Sequence, residues 1–209
     1  MGRSLLHVVG ILAVMLFGLA GCGGDGGGNT TVSTYTPVTA GTTWSYSRSD
    51  NGTRTEKILA NSNNQVTREV VDSTTGRSVA TELNSNKAAY LATVDLYNAA
   101  GSISATKTYS PSPGMLFVPS STTPGSHETQ NVQINTMPTN TNTSLSTDIS
   151  VVGVETITVP AGTFENTLKI QTTILPSTTY TTWFAINVGM IRQDVNTVKS
   201  IELTSYSIK

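Results

Sequence analysis

Clusters of Asn, Asp and Gly recur every 10 to 14 residues through the first half of this chain, and that spacing limits the fold more than any other feature. They are Asp50-Asn51-Gly52, Asn61-Ser62-Asn63-Asn64, Asp72-Ser73-Thr74-Thr75-Gly76, Asn84-Ser85-Asn86 and Asn98-Ala99-Ala100-Gly101. These residue types tolerate the positive φ that tight hairpins demand. Between the clusters lie short segments rich in Thr, Val, Tyr and Ile, which fit a pleated surface. Trp44 and Tyr46 alternate with serines, the period-2 signature of a half-buried strand. Beyond the N-terminal stretch, no window of about 11 residues sustains the 3.6-residue period of a helix. The 36 Thr and 23 Ser among 209 residues agree, because β-branched Thr loses rotamer freedom in a helix.

Strands are therefore predicted near 43–49, 54–60, 65–71, 77–83, 87–97 and 102–109. Ser110-Pro111-Ser112-Pro113-Gly114 interrupts the meander, and Met115-Leu116-Phe117-Val118 reads as a short strand before Pro119. The stretch 135–147 is polar and contains Pro138, so it is expected to be a long loop. Strands resume near 148–159, 163–174, 178–185, 189–195 and 199–207. The expected fold class is all-β, an antiparallel meander of about 11–12 strands. So many strands do not lie flat; they curl into a barrel, a half-barrel or two packed sheets.

The N-terminus reads as an address. Arg3 precedes an apolar run from Leu5 to Ala20, whose 16 residues are short for a bilayer span, and small residues follow it. Leu19-Ala20-Gly21-Cys22 resembles the lipobox of bacterial lipoproteins at all four positions. That resemblance implies a signal peptide over 1–21, diacylglycerol on the Cys22 thiol, acylation of the new α-amine, and a membrane partner reached through the lipid. Gly23, where the enterobacterial retention signal has Asp, implies the outer membrane as the destination. Residues 22–34 form a Gly-rich tether with a reach of roughly 20 Å, and 35–209 form a single β-domain. Cys22 is the only cysteine, so no intramolecular disulfide can staple the fold.

A second resemblance lies downstream. Val154-Glu155-Thr156-Ile157-Thr158-Val159-Pro160-Ala161-Gly162-Thr163-Phe164 is similar to a recurrent motif of uncharacterised bacterial envelope proteins, with Trp183-Phe184 as its aromatic pair and Val188-Gly189 as its closing glycine. Such domains are loosely similar to the periplasmic lipoprotein-carrier and outer-membrane lipoprotein-receptor folds. The likeness implies a curved all-β sheet in the envelope. Read physically, Pro160 and Gly162 make a hairpin turn, with Gly162 in a left-handed conformation.

Chemistry-bearing motifs are sparse. Twelve Lys+Arg against thirteen Asp+Glu give a formal charge of −1, too little positive charge for a nucleic-acid binder. His127 follows Gly125-Ser126 with no nucleophile elbow nearby, and reads as an exposed strand start. Ser104-Ala105-Thr106-Lys107 matches a Ser-x-x-Lys pattern but lacks its companion motifs. Asp50 belongs to a hairpin turn, and Glu155 is expected to be solvated on an otherwise apolar strand. No metal or cofactor is expected, and no enzymatic activity. The expected function is a non-catalytic binding module for an apolar ligand or an envelope protein, with Trp44, Tyr46, Trp183 and Phe184 as candidate ligand-lining residues. The alternative is a structural or surface-interaction component without a small-molecule site.

Overall fold

The computed structural model describes residues 35, 37–85 and 88–209. Cys22 and the stretches expected to be a signal peptide (1–21) and a tether (22–34) lie outside the described residues. The chain forms β1 (Thr43–Arg48), β2 (Thr53–Ser62), β3 (Gln65–Asp72), β4 (Gly76–Ser85), β5 (Ala88–Tyr97), β6 (Ile103–Ser110) and β7 (Met115–Val118). The second half forms β8 (His127–Met137), β9 (Thr141–Val159), β10 (Gly162–Ile174), β11 (Thr178–Ala185), β12 (Gly189–Val195) and β13 (Val198–Ser207).

All pairings are antiparallel, and almost all join sequence neighbours. β4 pairs with both β3 and β5, and β1 pairs with both β2 and β13, so twelve strands close a complete barrel. β7 is the exception. It pairs with Ala89–Leu91 of β5, beyond the part of β5 that holds β6, while β6 goes on to pair with β8. Among the described residues, closure leaves no long unpaired edge, the usual liability of an all-β chain.

Two readings from sequence are corrected. The expected loop over 135–147 is instead the β8–β9 hairpin, turning on Pro138, Thr139 and Asn140, with Asn140 at φ 49. His127 is the exposed strand start expected of it, but the strand it opens runs on to Met137, and that strand was not expected. The cause is one-sided burial: Val132, Ile134, Ile149 and Val151 point inward, while the positions between them face water and accept Asn, Gln, Ser and Thr. A strand with one wet polar face can look like a loop.

Alternation sets the two faces of the wall. Trp44, Tyr46, Ile58, Val66, Val70, Val94, Ile170, Phe184, Ile191 and Leu203 face inward and are at most 5% exposed. The first described residues, the end of β13 and β7 lie at one end of the barrel, where all four β7 residues are buried along with Tyr35 and Val38. Gly114 lets β7 come this close. Its φ is 125, and a Cβ there would collide with the Leu91 carbonyl oxygen.

The Pro-Ala-Gly motif behaves as expected at its turn. Val159 pairs with Gly162, and Gly162 has φ 139 with open space around it. The β9–β10 hairpin is longer than its neighbours, and two irregularities in its register bend it. Its tip reaches β13, where the Ala161 N–H donates to the Leu203 carbonyl at 3.0 Å and Phe164 meets Tyr206. The motif thus links the middle of the chain to the strand that closes the barrel.

Candidate functional site

Three places concentrate chemistry. The first is inside the barrel. Arg54 and Glu56 are two residues apart on β2, so both point inward, and Arg68 and Glu82 reach the same space from β3 and β4. Glu56 bridges the two arginines, at 2.7 Å to Arg54 and 3.2 Å to Arg68, and Arg68 Nε donates to Glu82 Oε1 at 2.9 Å. All four side chains are no more than 3% exposed. The Arg68 guanidinium also stacks over Trp44 at 4.9 Å.

Burial of ionic groups is expensive unless every partner is present. Here the pairing is incomplete, since among the described residues Arg68 Nη2, Glu82 Oε2 and Asn84 Oδ1 have no hydrogen-bond partner. Burial pushes the Glu82 carboxyl up to about 7, against the opposing pull of Arg68. Burial and the Glu56 charge hold the Tyr46 phenol well above its ordinary value. Further round the wall, burial lowers the Lys107 ammonium below the usual lysine range.

The second place is on the outer wall. Trp183 pairs across the sheet with Lys169 and Arg192, so the three side chains share the outward face. Lys169 Nζ lies 5.1 Å from the indole and the Arg192 guanidinium 4.9 Å, and Glu155 accepts from the indole N–H. The Trp183 bond and the nearby Lys169 hold the Glu155 carboxyl below its usual range. Trp183 is 5% exposed because its charged neighbours cover it. Arg192 is itself held by Asp194 at 2.7 Å.

The third is a groove of about 670 Å³ on the outer wall, lined by Ser110, Asn131, Gln133, Ser144, Ser146 and Leu175 among others. It carries no ionisable side chain.

The four aromatic candidates are not gathered into one pocket. Trp44 and Tyr46 face inward and are tied into the wall, the indole N–H donating to the Val188 carbonyl at 2.6 Å and the phenol to the Met190 carbonyl at 3.2 Å. Phe184 is buried inside against the same core. Trp183 points the other way, although it is the immediate neighbour of Phe184. Trp183 therefore does not share the inner face with the other three, because successive residues on a strand face opposite sides.

The lesser candidates also find places. His127 begins β8 on the outer wall and lies 2.8 Å from Asp148. Ser104 faces out and Lys107 in, because a spacing of three on a strand separates the faces, so they share no site. Asp50 is a turn residue bonded to Arg48 and Thr74. Among the described residues there is no group of three or more His, Cys, Asp or Glu able to hold a metal. The interior ion cluster was missed in the sequence, although a signal existed: Arg54, Glu56, Arg68 and Glu82 fall in phase with Ile58, Val66, Val70 and Ala80, the dry face of their own strands.

By fold, this is a closed, antiparallel β-barrel domain. Residues 111–208 match the family model described as DUF3108-like, so the chain is similar over that stretch to a family without an assigned activity. The matched stretch begins after β6 and runs through β7 to β13; by itself it would leave β8 and β13 as open edges that β6 and β1 pair here. No curated protein and no solved structure matches the chain.

Proposed function

We propose that this protein is a bacterial envelope lipoprotein, held on the membrane through lipid on Cys22, whose barrel is a non-catalytic binding module acting through its outer wall. The observation that carries the reading is how the candidate aromatics are used. Trp44, Tyr46 and Phe184 are packed into the interior or bonded to backbone carbonyls, and Trp183 is covered by Lys169, Arg192 and Glu155. Groups already engaged in the fold are poor ligand contacts, because a guest would have to displace them. The outer groove, by contrast, is lined largely by exposed side chains that no other part of the fold covers.

Tyr35, the first described residue, and the end of β13 lie at one end of the barrel, so a tether entering there would leave the opposite end facing away from the membrane. Several acyl chains at about 0.8 kcal/mol per buried CH₂ make such attachment effectively permanent. The test is affinity capture from detergent-solubilised envelope, with mass spectrometry of proteins, glycans and lipids. A reproducible partner lost on substituting outer-wall residues supports the reading. Lipid that co-purifies and is released by substituting interior residues would overturn it in favour of a carrier of apolar ligands. Capture of nothing beyond background would favour a purely structural part.

A further inference from the structure

We infer that the barrel is two copies of one six-strand unit joined end to end, and that each unit meets the other through a self-recognition surface whose partner is a second copy of the same unit. The first unit is β1 to β6 and the second is β8 to β13. Each is entered through the same turn. Gly41 and Gly125 have φ 89 and 88, and their N–H groups donate to the carbonyls of Ile58 on β2 and Val151 on β9, both at 2.8 Å. The return bonds match too: the Ile58 N–H donates to the Thr42 carbonyl at 3.0 Å, and the Val151 N–H to the Ser126 carbonyl at 2.9 Å.

From that anchor the strands run in step. Ile58 pairs with Arg68, as Val151 pairs with Ile170, and the next residue, Leu59 or Val152, is bulged out of register and exposed. Arg68 pairs with Ala80, as Ile170 pairs with Thr182. A second bulge follows Thr81 in the β4–β5 pair and Trp183 in the β11–β12 pair. A bulge bends its strand and sharpens the twist, so bulges in matching places give both halves the same curvature. The units differ beyond the first bulge, where nine residues separate Ile58 from Arg68 and eighteen separate Val151 from Ile170. The Pro-Ala-Gly hairpin belongs to the second unit alone.

The seams obey the same rule. The last strand of each unit pairs with the first strand of the other, β13 with β1 and β6 with β8. Two like units related by a two-fold axis close in this way, because each gives one edge and takes one. The DUF3108-like stretch holds the second unit together with β7, and β7 crosses the seam to lie on Ala89–Leu91 of the first. Leu91 corresponds to Met190, and at that place Trp44 and Tyr46 stand in for a crossing strand by donating to the Val188 and Met190 carbonyls. A half-barrel has two edges to satisfy, and a second half-barrel of its own kind fits both.

The correspondence also accounts for where the ion cluster sits. Counted from the shared anchors, Arg54, Glu56, Arg68 and Glu82 match Thr147, Ile149, Ile170 and Phe184, each 1% exposed. The architecture accepts uncharged side chains at all four positions, so the charges belong to the first unit and not to the barrel. Exchanging a buried ion cluster for apolar side chains of similar volume is often neutral or stabilising.

Two measurements on the full chain in detergent test this. The first combines Arg54→Thr, Glu56→Ile, Arg68→Ile and Glu82→Phe, with a control that exchanges the places of the new Thr and Phe. The matched variant should keep the wild-type mass in solution and the wild-type strand content, and at pH 8 it should melt at or above the wild-type temperature. The control should melt about 5 °C or more below the matched variant, since it overpacks one position and empties another. A matched variant that does not fold, or that melts no higher than the control, overturns the correspondence and the proposal with it. The second measurement disables the first unit with Val66→Asp and Val94→Asp, both sites being fully buried. The second unit should then take a second copy as its partner. Analytical ultracentrifugation should give twice the wild-type mass, and amide-exchange protection should be confined to residues 111–209. An unchanged mass, an aggregate, or no protection over that stretch overturns self-recognition.

Discussion

Glu82→Gln tests whether the barrel interior stores an unfavourable charge. Glu82 is fully enclosed, one of its oxygens is bonded to Arg68, and the other has no partner among the described residues. Protonation turns that second oxygen into a donor, and Asn84, two residues along the same face, carries an acceptor without a partner. Folding raises the Glu82 carboxyl from 4.5 to about 7. Between those values the native state binds more protons than the unfolded chain, so stability falls as pH rises. A rise of this size corresponds to about 3 kcal/mol, fully present below pH ~4.5 and lost once pH passes ~7. Asp50 and Glu155, whose carboxyls are depressed, act in the opposite sense but in a lower window, since their contribution is lost only as pH falls below the ordinary carboxylate range. Gln keeps the shape and the acceptor to Arg68 without ionising. Urea unfolding followed by tryptophan fluorescence at pH 5, 6, 7 and 8 should show the wild type weakening with pH and the variant nearly flat. The variant should equal the wild type at pH 5 and match or exceed it at pH 8. A wild type that gains stability from pH 5 to 8, or a variant that keeps the wild-type slope, refutes the reasoning.

Gly162→Val should destabilise the barrel by more than ~1 kcal/mol, because a β-branched residue is strained at φ 139 even with open space around it; an unchanged melting curve would contradict this. Trp183→Ala should cost about 3 kcal/mol through lost packing between Lys169 and Arg192, whereas Trp183→Phe, which keeps a ring but loses the Glu155 bond, should cost about 1 kcal/mol. Chemical denaturation that ranks the two variants equally would show that the ring is not what the clamp needs. Cys22→Ser should abolish acyl labelling and move the protein from the membrane to the soluble fraction; a wild type with no acyl label would sink the lipoprotein proposal.

Much of this architecture was legible before any coordinates. Turn residues need special backbone angles and strands need alternation, and both are local properties written at fixed spacing, so β1 to β7, β10 to β13 and the part of β9 from 148 onward could be located from residues alone, whereas 141–147 was read as loop. The Pro160–Gly162 hairpin was legible for the same reason. β8 was not, because a polar outer face leaves only half the positions informative, and Pro138 falls where a loop would also put one.

Inside and outside were decided only by closure. Trp183 and Phe184 are neighbours in sequence, and nothing local says which one faces the lumen; the pairing of β11 with β10 and β12 does. The same holds for the ion cluster, assembled from three strands, and for the groove, which exists only when β6, β8 and β9 lie in register. Sequence alone determined most of the strands and turns, and the residue types offered to each face. Tertiary structure decided which offered groups found partners, because a hydrogen bond or an ion pair between strands depends on register, and register is a property of the closed sheet.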